Sequence, residues 1–204
     1  MTNYVIGITG GSAAGKGEFL KMVVEHFNER EVCLISQDNY YKPNHQQEPD
    51  ESGYVNFDLP DTIDEEEFAQ HLKALKNDQS IEYQQYSFEI EDRTGPPIKL
   101  DPAPIIIVEG IFVFHYPLIS RQLDLKLYVE ADSHLMLKRR ILRDQKERGY
   151  EMEEILYRFE KHVIPTYEKY ILPYKKTADI VIPNYDRFDE AFAVAAAFMR
   201  SKLS

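Results

Sequence analysis

The sequence predicts an α/β fold: a parallel sheet with helices on both faces. Three observations carry this. Short apolar runs alternate with segments of helical period along the whole chain. A glycine-rich loop separates the first run from the first helix, and Ile105-Ile-Ile-Val108 has no polar face, as a strand buried on both sides requires. At 204 residues, with no internal repeat, low-complexity tract or linker, the chain is expected to form a single domain over 1–204.

Tyr4-Val-Ile-Gly-Ile8 is a short buried strand, and after Gly15 the residues Phe19, Leu20, Val23, Val24 and Phe27 recur at helical spacing. Val32-Cys-Leu-Ile35 is a second strand, leading to Asp38 just past its carboxyl end. Residues 39–62 have no period and many turn formers, the mark of a functional loop or of disorder. Asp64 as N-cap with Glu67 as its capping-box partner, ahead of Phe68, Leu72 and Leu75, predicts a helix over about 64–76. Alternation at Ile81, Tyr83 and Gln85, resumed at Ile98 and Leu100, predicts a hairpin over about 80–100 outside the main sheet.

After Pro102-Ala-Pro104, the run from Ile105 ends in Glu109-Gly110 and reads as a central parallel strand. Leu125, Leu127 and Val129 form another strand, followed by a capped helix from about Asp132 to Arg148. A further helix starts at about Met152 and should be interrupted at Pro165, which has no N–H to continue the ladder. Ala178–Pro183 reads as the last strand and Phe188–Leu203 as the closing helix.

With 43% hydrophobic and 29% charged residues the chain lies outside the disordered classes. A formal charge of −11 opposes binding to nucleic acid or to an anionic membrane surface, so small molecules or proteins are the expected partners. The lone Cys33 cannot form an internal disulfide, and neither a leader peptide nor a membrane-length apolar run is evident; a cytoplasmic location is expected.

Gly10-Gly11-Ser12-Ala13-Ala14-Gly15-Lys16 has the spacing of a phosphate-binding loop, in the strand-to-helix context that its mechanism requires. Small residues let backbone N–H groups turn toward phosphate oxygens, the helix N-terminus adds positive potential, and Lys16 reaches the terminal phosphates. The bland alternative is a tight turn with a solvated lysine. Gly17 stands where such loops carry a Ser or Thr whose hydroxyl reaches Mg²⁺. Weakened metal positioning with nucleotide binding retained is the expectation.

In open α/β sheets ligands bind beyond the carboxyl ends of the strands, where Asp38 and Glu109 would meet the mouth of this loop. Asp38 could accept the proton of an attacking hydroxyl, and Glu109 could hold Mg²⁺ through its waters; strand-end capping or solvated charge is the plainer reading. Lys138, Arg139, Arg140, Arg143, Lys146 and Arg148 crowd six of the 24 basic residues into one short segment. Arg140 and Arg143 share a helical face and could hold phosphoryl oxygens, unless these charges simply pair with Asp144 and Glu147. The six histidines show no metal-ligand spacing, and no Ser, His, Asp constellation can be argued.

Taken together, these residues resemble the uridine–cytidine kinase branch of the P-loop kinases related to phosphoribulokinase, over nearly the whole chain. "GITGGSAAGKG" is similar to the family's phosphate loop, "SQDNYY" to the segment of its catalytic base, and "NFDLPDTID" to the segment whose Asp binds ribose hydroxyls. "IIIVEGIF" resembles the metal-associated Glu segment, "LKRRILRDQKERG" the arginine-rich lid, and "KKTADIVIP" the closing strand. The resemblance implies a P-loop kinase fold: a three-layer sandwich with a substrate-side hairpin and a helical lid at about 138–165. It implies γ-phosphoryl transfer from ATP or GTP, with Mg²⁺, to a nucleoside 5′-hydroxyl, and a homo-oligomer, a tetramer in the family.

Site residues follow from the same resemblance: Asp38 as base, Lys16, Arg140, Arg143 and Arg148 on the phosphates, and Asp38 with Glu109 at the metal. Tyr41, Phe57, Asp58, Tyr86, Phe88, Glu91, Arg140, Tyr150 and Arg158 would line the acceptor. Three of these depart from the family pattern. Glu91 stands in place of a substrate-contacting His, Tyr150 in place of an Arg, and Arg158 in place of a base-contacting Gln. Glu91 and Arg158 are expected to pair and reshape the pocket. Uridine or cytidine is the leading acceptor; another nucleoside or sugar-like alcohol on the same fold, or a regulatory nucleotide-binding protein with impaired catalysis, are the alternatives.

Overall fold

The computed structural model describes residues 3–88 and 90–203, and of Glu147 the backbone. Seven strands are present among them: β1 Tyr4–Thr9, β2 Val32–Ser36, β3 Ile81–Gln84, β4 Pro97–Leu100, β5 Ile105–Glu109, β6 Leu125–Glu130 and β7 Ile180–Pro183. Five form one parallel sheet in the order β2-β5-β1-β6-β7. The helices are α1 Lys16–His26, α2 Glu65–Lys76, α3 Pro117–Ser120, α4 Ser133–Arg143, α5 Met152–Arg158, α6 Ile164–Thr166 and α7 Asp189–Lys202.

The pleat divides the core into two layers, because successive side chains of a strand point to opposite faces. Ile105 and Ile107 of β5 join Ile6 and Ile8 of β1 under Phe19 and Val23 of α1 and Phe192 and Met199 of α7. Ile106 and Val108 join Val5 under Phe68, Leu72 and Leu75 of α2. All five residues of β5 are buried, which is why its sequence carries no polar alternation. Truncating fully buried Leu72 to Ala should cost about 2–5 kcal/mol of stability.

The hairpin of β3 and β4 pairs Ile81 with Leu100 outside the main sheet, as expected. Asp64 caps α2 by accepting from the N–H of Glu67 at 3.0 Å. The capping box is only half made, however. The N–H of Asp64 donates to the Tyr40 carbonyl at 2.8 Å, and the Glu67 carboxylate binds Arg93 instead.

The region after β6 differs from expectation at one point. α4 continues through a π-turn over Asp144–Arg148 and stops at Gly149, whose φ of 67° is left-handed. From Met152 onward the helical path does not break at Pro165. It runs through π-turns at Phe159–Val163 and Tyr167–Ile171 on either side of α6, which contains the proline. Widened turns absorb the missing donor without ending the helix. Among the described residues no helix is long and apolar enough to cross a membrane.

Candidate active site

The phosphate loop joins β1 to α1 at the carboxyl edge of the sheet. Gly10 has a φ of 150° and packs so tightly that an added Cβ would lie 2.2 Å from the Val129 carbonyl oxygen. Gly15, at φ 112°, leaves no room before Asn184. Asn184 Nδ2 donates to the Ala14 carbonyl at 2.8 Å and Arg139 Nη1 to the same oxygen at 3.3 Å, bracing the loop from β7 and α4. Lys16 Nζ curls over the loop, donating to the carbonyls of Gly10 and Gly11 at 3.0 and 3.2 Å. Desolvation lowers its pKa while Glu109 and Asp38 pull it back up. At Gly17 an added Cβ would meet nothing within 4 Å.

β2 and β5 are neighbours, and their register sets Ser36 opposite Glu109. Ser36 Oγ donates to Glu109 Oε1 at 2.5 Å and accepts from the N–H of Asp38 at 3.3 Å. Burial pushes the Glu109 carboxyl up to about 6; the Asp38 charge adds to this and Lys16 and Ser36 oppose it. Asp38 is open to the cleft yet walled in by protein. Desolvation raises its pKa against the pull of Lys16, Arg148 and Arg143, and the solvent that reaches it tempers that rise. Among the described residues no group of three or more His, Cys, Asp or Glu side chains could hold a metal. Two carboxylates nevertheless fit Mg²⁺, which keeps several waters and is commonly held by one or two carboxylates plus substrate phosphates.

Arg140, Arg143 and Arg148 converge on Asp144, whose residue is 0% exposed. Arg143 Nε donates to its Oδ1 at 2.8 Å and Arg148 Nε lies 3.7 Å from the same atom. Arg140 Nε lies 3.0 Å from Oδ2 but off the hydrogen-bond direction, so that contact is electrostatic. The pairing with Asp144 that would make these arginines a mere surface feature is therefore present, yet all three line the cleft. The side chain of Glu147 lies outside the described residues. Arg140 also donates from Nη1 to Ser12 Oγ at 3.0 Å and reaches Asp58 at 3.7 Å, tying α4, the phosphate loop and the 39–62 loop together.

The loop over 39–62 is ordered by Asp50, which accepts from Tyr157 OH at 2.9 Å and meets His162 Nε2 at 2.7 Å. Desolvation pushes the Asp50 carboxyl up, but hydrogen bonds from His162, Tyr54, Tyr157 and Ser52 outweigh it and hold it down to about 2. The loop so placed presents Tyr41, whose ring lies 5.8 Å from Phe57, 5.3 Å from Tyr86 and 5.7 Å from Phe88. Tyr41, Phe57, Asp58 and Phe88 line the cleft, while Tyr86 is buried behind them.

Glu91 and Arg158 both line the cleft but do not pair. Arg158 Nε donates to Glu154 at 2.7 Å and Nη1 to the Val55 carbonyl at 3.0 Å, with the guanidinium 4.9 and 5.2 Å from the rings of Tyr54 and Tyr150. Glu91 instead accepts from Asn44 Nδ2. An i,i+4 carboxylate on its own helix reached Arg158 first.

The cleft thus gathers Ser12, Ala13, Lys16, Asp38, Glu109 and the lid arginines at one end and the aromatic residues with Asp58, Glu91, Tyr150 and Arg158 at the other. Its volume of about 100 Å³ is below the roughly 300–1,000 Å³ of ligand pockets. Sequence reasoning missed Asp144 as the anchor of the arginines, Ser36 beside Glu109, Ile111 in the lining, and the braces Arg139 and Asn184. A carboxylate four residues from both Arg140 and Arg148 was the available signal for Asp144.

The sequence profile of the Phosphoribulokinase / Uridine kinase family matches residues 5–190. "Uridine-cytidine kinase B" of Dictyostelium discoideum is 34% identical over 201 residues, covering 98% of this chain and 83% of that one. "Uridine kinase" of Clostridium botulinum (strain Okra / Type B1) is 39% identical, covering 88% of this chain and 87% of that one. The solved phosphoribulokinase of Rhodobacter spheroides superposes with a TM-score of 0.65 at 16% identity, covering 89% of this chain and 70% of that one, a likeness of fold.

Proposed function

The chain belongs to the phosphoribulokinase/uridine kinase family, and on that premise we propose that it transfers the γ-phosphoryl of ATP or GTP to the 5′-hydroxyl of uridine or cytidine. Membership of this family makes it a phosphotransferase with an alcohol acceptor. The observation that carries the finer reading is the placement of Asp38 and Glu109 past the ends of two adjacent strands, facing Lys16.

Asp38 accepts the proton of the acceptor hydroxyl as it attacks, a role that the upward direction of its pKa favours. Lys16 and the loop N–H groups hold the donor phosphates. Arg140, Arg143 and Arg148 bring donors to the oxygens where charge gathers during transfer, preorganised by Asp144. Asp38 and Glu109 are the side chains that would hold Mg²⁺, which would neutralise β- and γ-phosphate charge there. Asp58 binds ribose hydroxyls once Arg140 releases or shares it.

Chromatography of the products after incubation with MgATP and each nucleoside tests this reading. Formation of the nucleoside 5′-monophosphate with one ADP per product supports it. ATP consumption dependent on another alcohol would replace the acceptor. Gly17 favours one further reading, a regulatory protein with impaired catalysis; nucleotide binding with no turnover on any acceptor would support that.

A further inference from the structure

The 39–62 loop has no apolar anchor along most of its length. Tyr40 and Tyr41 at its start and Phe57 near its end pack into the core, but among the described residues none between 42 and 56 belongs to either core layer. Fixing so long a path costs backbone entropy at every residue, and where apolar burial does not offset that cost, polar contacts must. Of the stretch 48–53, Glu48, Pro49, Glu51, Ser52 and Gly53 are exposed and Asp50 alone is turned inward.

The two oxygens of Asp50 have different partners. Oδ1 accepts from the N–H groups of Ser52 and Tyr54 at 2.8 and 3.0 Å and closes the loop's own turn. Oδ2 reaches across to the helical segment after Met152, where it accepts from Tyr157 OH at 2.9 Å and from His162 Nε2 at 2.7 Å. A carboxylate only accepts, so Nε2 is the nitrogen that carries the proton. His162 is 3% exposed and its Nδ1 has no partner, which leaves Asp50 as the only polar contact of this buried imidazole among the described residues. The same helical face holds the loop beyond Asp50: the Tyr54 ring lies 5.4 Å from that of Tyr157, and Arg158 Nη1 donates to the Val55 carbonyl at 3.0 Å. Asn56 Oδ1 then accepts from the N–H of Asp58 at 3.0 Å, so the fixed path runs on to Phe57 and Asp58 in the cleft.

We propose that Asp50, Tyr157 and His162 are positioning residues: their clasp docks the 39–62 loop on the helical segment and so sets the place of Phe57 and Asp58 for the acceptor. The inference rests on the kinase reading above, in which those two residues meet the nucleoside. None of the three is among the residues that line the cleft, so they act only through the loop they hold. Losing the clasp returns the loop to many conformations, and the acceptor must then select the one that binds it, which weakens its apparent affinity. The phosphate loop, Asp38 and the arginines around Asp144 are held by other contacts, so transfer from a bound acceptor is left intact.

The test is kcat, KM for uridine and KM for MgATP in the full chain and in Tyr157→Phe, His162→Leu, His162→Gln and the double variant Tyr157→Phe with His162→Leu. The expected result is a rise of about tenfold or more in the uridine KM of the double variant, with kcat and the MgATP KM within about twofold of the unaltered protein. His162→Gln, whose amide can still donate to Asp50, should lie closer to the unaltered protein than His162→Leu does. An unchanged uridine KM in the folded double variant overturns the proposal, as does a loss shared by kcat and both KM values, or a His162→Gln no better than His162→Leu. If the double variant does not fold, Tyr157→Phe decides, since it removes one hydroxyl and keeps the ring: a raised uridine KM supports the clasp and an unchanged one overturns it. Phosphorylation of no nucleoside by an unaltered protein that binds ATP is a different failure: the kinase reading itself falls, and this inference with it.

Discussion

Arg140 and Asp58 form a buried ion pair across the cleft, 3.7 Å apart, with the same guanidinium donating to Ser12 of the phosphate loop. One side chain thus spans the places assigned to the donor phosphates and to the acceptor sugar. Without ligand the arginine satisfies both; with ligand, phosphoryl oxygens and ribose hydroxyls would take over its contacts.

Asp58→Asn should therefore damage acceptor binding more than donor binding. The expected outcome is a rise of about 10–100-fold in KM for the nucleoside, with KM for MgATP changed far less. Steady-state kinetics with each substrate varied in turn checks this, and equal effects on both would contradict it.

Asp144→Asn removes the buried charge that holds Arg140, Arg143 and Arg148. Breaking such a cluster on one side should cost about 3–5 kcal/mol of stability, and kcat should fall with it because the arginines lose their aim. Denaturant unfolding measures the first effect and saturating-substrate turnover the second.

Gly17→Thr should tighten metal use without disturbing the loop, because the Cβ position is open. Half-maximal activity is expected at lower Mg²⁺, together with roughly 0.3–0.5 kcal/mol of added stability from better helix propensity in α1. A Mg²⁺ titration of activity reads the first effect. An unchanged curve would mean that position 17 does not face the metal.

The raised pKa of Glu109, about 6 against an ordinary 4.5, has two consequences. In the interval between these values the native state holds more protons than the unfolded one, so stability contributed by this site falls as pH rises from about 4.5 to 6 and stays lower above it. Glu109→Gln should then stabilise the protein at pH 8 by about 2 kcal/mol, with the gain gone by pH 4, while activity is lost. Thermal melts at the two pH values check this. In the unaltered enzyme the acidic limb of kcat/KM should lie above the ordinary carboxylate range, since burial shifts Asp38 and Glu109 in the same direction.

What was legible in the sequence was whatever local chemistry decides. The phosphate loop, the alternation of strands and helices, and Asp64 as a cap each depend on a few adjacent residues and on period. What was not legible was the choice among competing partners. Glu67 had a local role in the capping box and took Arg93 instead; Arg158 was matched with Glu91 and took Glu154. Charge supplies many acceptable partners, and packing decides which one is near. Pro165 shows the same limit for backbone: a missing donor forbids a regular α-turn but not a widened one. Asp144 was visible only as a carboxylate among arginines, and its complete burial gives it its importance.

The role proposed for Asp38 is to take the proton of a nucleoside hydroxyl beside a working phosphate loop. Its most direct test is nucleoside-dependent ADP formation from MgATP in parallel with Asp38→Asn, with ATP binding measured on both proteins. The expected result is turnover that requires the nucleoside, falls by about 10²–10⁴-fold in the variant, and leaves ATP binding in place. Turnover that survives in Asp38→Asn, or ADP formation indifferent to the nucleoside, would contradict it.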